Sequence, residues 1–276
     1  MIGLIIKSIS GEYSVKVDDK VYVCKPLGIF RHKKITPKVG DIVKIENEMI
    51  TEIKPRKNEL TRPYVANVDK VFIVTSLVEP DLNLNLLDRI ICQVEYANIE
   101  IVLIFTKADL VNIDDYSDVI NYYKKIGYKV YLSPNEYKNI KEEINNSLCV
   151  VAGQSGVGKS TLINLFDNFN VKTDQISKAL GRGKHTTRCS ELLKVGNGYI
   201  ADTPGFGTLE LEMDVVTLSQ MFKEFFECKC KYNPCTHLNE PSCMVKEKVE
   251  KNIIRKSRYE SYKAFVNEIK NKKIKY

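Results

Sequence analysis

The sequence predicts a mixed α/β protein with three parts: a small N-terminal β-barrel, a mainly parallel sheet with helices on both faces, and a C-terminal helical region. Three observations predict this arrangement. Residues 1–60 contain short runs that alternate apolar and polar residues, residues 68–152 alternate β-branched runs with amphipathic patterns, and cysteines and a histidine cluster within residues 230–243. Alternating runs are typical of barrel strands, whereas continuous apolar runs indicate strands buried on both faces of a parallel sheet.

The N-terminal region is expected to form five short strands separated by turn residues. They are placed at Ile2–Lys7, Tyr13–Val17, Val21–Cys24, Asp41–Ile45 and Met49–Ile53. Five strands in so short a stretch predict a barrel of the oligonucleotide-binding (OB) type. A basic loop between the third and fourth strands is expected to contact RNA backbone. Its basic residues are Arg31, His32, Lys33, Lys34 and Lys38.

A linker rich in Lys, Arg and Pro, residues 54–64, marks the first domain boundary. Beyond it, strands and helical patterns alternate as in a doubly wound sheet. We expect domains at residues 1–62, 63–212 and 213–276. Within the last of these domains, one helix is expected near residues 215–227. A second, basic helix is expected from about 246 to 273.

The central motif is GQSGVGKS, which directly follows the apolar run 148–152 and precedes a helical pattern. Its residues are Gly153, Gln154, Ser155, Gly156, Val157, Gly158, Lys159 and Ser160, with Thr161 next in the chain. Backbone N–H groups of such a turn surround phosphates, Lys159 reaches the β- and γ-phosphates, and the Ser160 hydroxyl binds Mg²⁺. The strand-turn-helix context favours a phosphate-binding loop over a turn that merely contains glycines.

A second motif, TKAD, predicts which base is bound. Its residues are Thr106, Lys107, Ala108 and Asp109, at the end of the buried run 101–105. The Asp109 carboxylate can accept hydrogen bonds from N1–H and the 2-amino group of guanine, and adenine would leave it unpaired. The stem of Lys107 would pack along the base. In isolation the match would favour a plain strand end, but beside a phosphate-binding loop it favours guanine.

The DTPG sequence that begins at Asp202 predicts the remaining contacts to Mg²⁺ and the γ-phosphate. Asp202 can hold the water shell of Mg²⁺, the Gly205 N–H can contact the γ-phosphate, and Thr187 is favoured over Thr186 as the threonine that closes the Mg²⁺ site. Phe206 cannot orient an attacking water. Our hypothesis is that His185 does so.

Cys230, Cys235, His237 and Cys243 have the composition of a closed, four-coordinate structural zinc site. Cys228 is an alternative to Cys230. The other cysteines are expected to be packing residues, because they lie in predicted strands or helices. They are Cys24, Cys92, Cys149 and Cys189.

Composition limits the other function classes. No apolar run approaches the length that spans a bilayer and no signal peptide is evident, so a cytoplasmic protein without a membrane role is expected. The net charge of +7 arises wholly in residues 244–276, which hold 11 basic and 4 acidic residues. Such a tail suits an RNA partner, and a solvated lysine-rich helix is the open alternative.

TKAD precedes GQSGVGKS in this chain, and HTTR (185–188), DTPGF (202–206) and the Cys3His cluster follow in that order. This order resembles that of the RsgA family of circularly permuted GTPases of small ribosomal subunit biogenesis. The resemblance implies a circularly permuted P-loop GTPase domain between an OB-type barrel and a zinc domain. It also implies a monomer that binds GTP or GDP with Mg²⁺, contacts the 30S subunit and its 16S rRNA, and acts late in maturation.

Two positions depart from the family pattern. Thr106 replaces an asparagine that contacts the base. The serine-alanine base loop is replaced by Ser133, Pro134 and Asn135, and Ser133 is expected to offer a backbone donor to guanine.

The permuted order brings the chain from Gly205 into the metal-binding region within about 25 residues, so the nucleotide state is expected to affect that region. Two rival functions are an RNA-binding module with GTP as a structural ligand and an ATP-dependent RNA-processing enzyme. Asp109 argues against the second.

Overall fold

The structure is a computed structural model that describes residues 1–32, 35–60, 64–167, 190–202 and 210–273. Its described strands form one 11-stranded sheet, part of which closes into a barrel. The α/β fold class predicted from the sequence is confirmed.

The N-terminal barrel contains five strands. They are β1 (Ile2–Ile9), β2 (Glu12–Val17), β3 (Lys20–Pro26), β4 (Ile42–Glu46) and β5 (Met49–Ile53), with the short helix α1 (Ile29–His32) between β3 and β4. The barrel closes because β1 pairs with both β2 and β4, and because β3 and β5 pair in parallel. Alternate side chains such as Ile5, Val15 and Val43 fill its interior. The predicted OB-type barrel is therefore confirmed.

The basic loop after α1 contains one lysine that is buried, although the loop was expected to face an RNA partner. Lys38 is only 7% exposed. Its Nζ donates to Leu60 O at 3.3 Å and lies 3.1 Å from a carboxylate oxygen of Glu59. Lys38 thus ties the loop to the linker rather than facing solvent. His32 is exposed, as expected, whereas Lys33, Lys34 and the Arg31 side chain lie outside the described residues.

The second part is a parallel sheet. Its strands are β6 (Lys70–Ser76), β7 (Glu100–Thr106), β8 (Lys129–Leu132), β9 (Leu148–Ala152) and β11 (Gly198–Asp202), in the order β11-β9-β6-β7-β8, with β10 (Ser190–Val195) antiparallel to β11. Its helices are α2 (Leu84–Tyr96), α3 (Ser117–Lys125), α4 (Tyr137–Glu142) and α5 (Lys159–Phe166). β10 and β11 form a hairpin, and its second strand extends the parallel sheet beside β9.

The barrel and the parallel sheet are joined by a short ladder that the sequence did not predict. Lys7 and Ser8 of β1 pair with Glu191 and Ser190 of β10. An ion pair of 2.7 Å between Lys7 and Glu191 reinforces the ladder. One continuous sheet therefore links the two parts.

The C-terminal region contains α6 (Val215–Gln220), α7 (Lys223–Phe226), α8 (Met244–Glu250) and α9 (Lys256–Lys273). The predicted single basic helix from 246 to 273 is wrong. Asn252 has φ 55°, a left-handed conformation that cannot continue a right-handed helix. The helix expected over 215–227 is likewise divided, because Phe222 is extended, with φ −106° and ψ 101°.

Arg258 in α9 joins this region to the parallel sheet. It is fully buried, although it belongs to the basic tail. Its Nε and Nη2 donate to the two carboxylate oxygens of Glu224 at 2.7 and 3.0 Å, and its Nη1 donates to Asp88 of α2 at 2.7 Å. Tyr123 of α3 donates to the same Asp88 oxygen at 2.6 Å. Part of the excess positive charge therefore stabilises the interior.

None of the helices in the described ranges combines the length and the apolar character needed to cross a membrane. Cys24, Cys92 and Cys149 are fully buried, in agreement with their predicted packing role. Cys189 lies outside the described residues.

Candidate nucleotide and metal sites

The predicted nucleotide motifs meet at one edge of the parallel sheet. β7 ends at Thr106, β9 leads into the GQSGVGKS loop, and β8 ends just before Ser133. All of these strands run in the same direction, with β6 between β7 and β9. The carboxyl edge of a parallel sheet is where such folds bind ligands.

Two glycines of the loop are required by its geometry. Gly153 has φ +149°, and a Cβ at this position would lie 2.2 Å from Val74 O. Gly158 has φ +91° and forms the N-cap of α5. Any side chain at Gly153 would collide with β6, and one at Gly158 would be strained. These glycines let the loop approach the sheet and turn into the helix.

Lys159 is folded over the loop. Its Nζ donates to Gly153 O at 2.8 Å and to Gln154 O at 2.6 Å. Burial lowers the pKa of Lys159, because desolvation disfavours the charged amine. Ser160 and Thr161 follow in the first turn of α5, half-buried and exposed respectively. The amine is thus held within the loop that would surround a phosphate.

The TKAD motif contacts the phosphate-binding loop directly. The Thr106 hydroxyl donates to Val157 O at 2.6 Å and lies 3.2 Å from Thr75 O. The Lys107 amine donates to Glu79 O, and Asp109 is exposed in the 3₁₀ turn Ala108–Leu110. The two motifs therefore adjoin at this edge of the sheet.

Ser133 has a different role from the one predicted. Its N–H donates to Phe105 O at 2.9 Å, and its carbonyl accepts from the Ala108 N–H at 3.2 Å. The N–H is engaged within the sheet edge, so it is not available to guanine in this arrangement. Ser133 instead supports the backbone of the TKAD motif.

The loop after β6 is a part of the site that the sequence analysis missed. The buried Ser76 hydroxyl approaches Val78 O at 2.5 Å and Pro80 O at 2.8 Å. This holds the Glu79 carbonyl that accepts from Lys107. A Cβ on Gly156 would lie 3.8 Å from Pro80 Cδ, so the loop also borders the phosphate motif. No local motif signals this role, because it depends on β6 lying between β7 and β9.

Asp202 ends β11, beside β9, which places its backbone at the same edge. Its side chain is not among the described atoms. His185, Thr187 and Gly205 lie outside the described residues. Their predicted roles remain predictions.

The four predicted metal ligands converge in the C-terminal region. The ligand atoms of Cys230, Cys235, His237 and Cys243 all lie within 4.8 Å of one another. Sulfur atoms are 3.9 Å apart in two pairs, and His237 Nδ1 lies 3.6 and 3.5 Å from two of them. A tetrahedron with the usual zinc bond lengths has edges of about 3.8 Å between sulfurs and about 3.5 Å between sulfur and nitrogen. The cluster could therefore hold a metal ion, and its dimensions fit zinc.

Surrounding groups fix the histidine loop in place. The Tyr259 hydroxyl donates to His237 O at 2.7 Å. The Glu240 carboxylate accepts from the N–H groups of Thr236 and Leu238 at 2.6 and 2.8 Å. Partial burial would raise the pKa of Glu240, but the hydrogen bond from the Thr236 hydroxyl, together with the backbone hydrogen bonds, lowers it to about 2. Contacts of this kind hold metal ligands in the orientation that binding needs.

Cys228 is not part of the cluster. Its Sγ points to Glu224 O at 3.5 Å, within the hydrophobic core of the C-terminal region. The alternative in which Cys228 replaces Cys230 is therefore not supported.

Comparison with known protein families gives two matches along the chain. The RsgA N-terminal domain matches residues 2–52, and the RsgA GTPase domain matches residues 53–212. The two matched segments adjoin at residue 52.

Named relatives match over nearly the whole chain. A protein of Oceanobacillus iheyensis named small ribosomal subunit biogenesis GTPase RsgA 2 is 46% identical, with 99% of each chain covered. The protein named small ribosomal subunit biogenesis GTPase RsgA of Clostridium beijerinckii is 45% identical, over 98% of this chain and 97% of its own.

Two solved structures also match. The crystal structure of YloQ, described as a circularly permuted GTPase, has a TM-score of 0.82 and 37% identity and covers 98% of this chain and 95% of its own. The crystal structure of YjeQ from Thermotoga maritima has a TM-score of 0.83 and 31% identity, and it covers 97% of this chain and 98% of its own.

Proposed function

Because the chain belongs to the RsgA GTPase family and is a GTP-hydrolysing enzyme, we propose that it acts on the small ribosomal subunit. It binds the 30S subunit, is stimulated by it, and hydrolyses GTP to GDP and phosphate late in the maturation of that subunit. The observation that supports the nucleotide part of this proposal is the contact between Thr106 and Val157, which brings the TKAD motif against the GQSGVGKS loop.

The sequence motifs support the following roles for the nucleotide-binding residues. Asp109 accepts from guanine, Lys107 packs along the base, and the loop from Gly153 to Thr161 binds the phosphates. Lys159 moves its amine from the loop carbonyls to the β- and γ-phosphates when a nucleotide binds. The short chain from Gly205 to the metal-binding region supports the further proposal that nucleotide state alters that region.

A magnesium ion bound with GTP would neutralise charge on the phosphates. Ser160, Thr187 and Asp202 are the residues that would hold it. The Gly205 N–H stabilises the γ-phosphate, and His185 orients the attacking water. Replacing His185 with Ala is expected to lower single-turnover hydrolysis on the small subunit, and an unchanged rate would remove this role.

The remaining assignments concern metal, partner and organisation. The Cys3His cluster holds one structural zinc ion, since all four ligands come from the protein and no position is left open. The barrel and the C-terminal region contact 16S rRNA, and the protein works as a monomer in the cytoplasm. Residues 1–62, 63–212 and 213–276 form its three domains.

The deciding experiment measures GTP turnover by the purified protein with and without small ribosomal subunits, with ATP as the control substrate. We expect GTP hydrolysis to rise severalfold on adding small subunits, with no turnover of ATP. Binding of GTP without turnover, even on the subunit, would favour the rival function in which GTP is a structural ligand.

A further inference from the structure

A cleft of about 400 Å³ lies beside the Cys3His cluster and has no part in the nucleotide site. The ends of α6 and α7 and the cysteine loop 228–237 line it. His237 and Cys235 contribute to its floor. The metal ligands and the contacts of Tyr259 to this loop hold the walls in place before any ligand binds. A preformed cleft lowers the entropic cost of binding.

Two aromatic side chains at this cleft are exposed. Phe226 is 68% and Tyr232 is 43% exposed, whereas the neighbouring Phe225 is 3% exposed and packs in the core. Both residues line the cleft, but only Phe226 leaves most of its surface exposed there. Phe225 already contributes to the hydrophobic core of this region. Two exposed aromatic rings at one cleft offer an apolar surface that a ligand could cover.

Lysines surround the aromatic pair. Lys229 lines the cleft and Lys231 precedes Tyr232, and both are exposed. Neither forms an ion pair within the described residues, unlike Lys223, which lies 3.2 Å from Glu95. In the sequence Cys228-Lys229-Cys230-Lys231 the cysteines turn inward and the lysines outward. The cleft therefore presents positive charge next to aromatic surface.

Asn233 and Gln220 also line the cleft. An amide has both donors and acceptors, which match the edge of a nucleobase. Aromatic rings for stacking, amides for a base edge and lysines for phosphate are the set of groups that bind single-stranded RNA. A protein segment would be a poorer match, since the lysines favour a polyanion.

We propose that this cleft binds an unpaired nucleotide of RNA, with its base against Phe226 and Tyr232 and its phosphate near Lys229 and Lys231. The inference rests on the proposed function and names one point at which the C-terminal region contacts RNA. The cleft selects single strands, because a base inside a duplex cannot reach the aromatic rings.

The test measures the affinity of the full-length, zinc-loaded protein for a short fluorescein-labelled single-stranded RNA and for a duplex of the same length, by fluorescence anisotropy without nucleotide. The variants are Phe226→Ser and Tyr232→Ser. The matched control is Tyr96→Ser, because Tyr96 is a 54% exposed aromatic residue in α2, outside the residues that line the cleft. Zinc content and melting temperature verify that each variant is folded.

We expect each cleft variant to bind the single strand more weakly, by about fivefold to a hundredfold, and the duplex as wild type does. The double variant Lys229→Gln/Lys231→Gln should lower the salt dependence of single-strand binding by about 1 to 2 in log–log slope. The control should bind both RNAs normally.

Wild-type affinity of both aromatic variants for the single strand would overturn the proposal. Retained RNA affinity with lost binding to small subunits would also overturn it, in favour of a protein partner. The proposed function fails in a different measurement, namely the turnover of GTP by the wild-type protein on small subunits.

Discussion

The hydroxyl of Thr106 donates a 2.6 Å hydrogen bond to the carbonyl oxygen of Val157. The two residues are 51 positions apart, one in the TKAD motif and the other in the phosphate-binding loop. Val157 is 2% exposed and Thr106 is 5% exposed, so water cannot replace the bond. Thr106 therefore links the two motifs, although the family pattern has an asparagine at this position.

Replacing Thr106 with Val should weaken this link. The isosteric valine leaves the Val157 carbonyl buried without its donor, which costs about 1 to 3 kcal/mol. We expect faster dissociation of GDP and a lower free energy of unfolding. Thr106→Ser keeps the hydroxyl and is the control. Stopped-flow dissociation of a fluorescent GDP analogue measures the effect, and equal rates for the Val and Ser variants would contradict it.

Metal binding should depend on Cys235 but not on Cys228. Cys235→Ser removes one of four converging ligands, whereas Cys228 lies in the core with its Sγ near Glu224 O. The first variant is expected to lose zinc and to unfold its C-terminal region at a lower temperature, because structural zinc contributes folding energy. Cys228→Ser should keep stoichiometric zinc. Metal analysis of both proteins decides the point, and zinc retained by Cys235→Ser would refute the assigned ligand set.

Arg258 should be essential for stability. Arg258→Met leaves the buried carboxylates of Asp88 and Glu224 without their partner, at a cost of about 3–5 kcal/mol. Arg255→Met is the matched control, because Arg255 is partly exposed and lies 3.7 Å from the exposed Asp118. That change should cost less than about 1 kcal/mol. Urea unfolding compares the two, and similar midpoints would show that the buried network contributes little.

Acid should weaken the contact between α4 and the sheet through Glu143. Partial burial would raise its pKa, but hydrogen bonds from Lys70, Lys129 and Tyr131 lower it to about 2. A pKa that is lower in the folded state gives stability that is present above the unfolded value of about 4.5 and lost as pH falls toward 2.

The variant Glu143→Gln tests this pH dependence. Because glutamine does not titrate, the variant should be less stable than wild type at pH 6, and the difference between them should shrink at pH 3. Urea unfolding at the two pH values measures it. A constant difference would show that Glu143 is not the titrating group.

The features that local patterns encode were predictable. Short alternating runs predicted the barrel strands, and β-branched runs such as Ile101–Phe105 predicted the buried parallel strands. Spacing predicted the four Cys and His side chains that converge. In each case the signal lies within a few neighbouring residues, since strand periodicity and ligand spacing are local properties. The edge of the sheet at which the nucleotide motifs meet follows from strand direction alone.

The features that depend on distant pairing were not predictable. Arg258 lies among solvated lysines in sequence, and only its partner 170 positions away accounts for its burial. The sequence predicts Lys38 on a basic surface, because it does not reveal that Leu60 and Glu59 lie beside this lysine in the fold. The backbone turn at Asn252, which divides the C-terminal helix, has no proline or glycine to mark it. Each error comes from tertiary contact or backbone geometry that overrides composition.

Asp109 and Lys159 are proposed to bind the same guanine nucleotide. Equilibrium binding of GDP, ADP and XDP to the wild-type protein and to Asp109→Asn tests it most directly. We expect wild type to prefer GDP by more than about tenfold, because only guanine offers both donors to the carboxylate. Asp109→Asn should lose GDP affinity and gain affinity for XDP, whose base presents a carbonyl in place of the amine. An unchanged order of preference in the variant, or preference of wild type for ADP, would contradict the account.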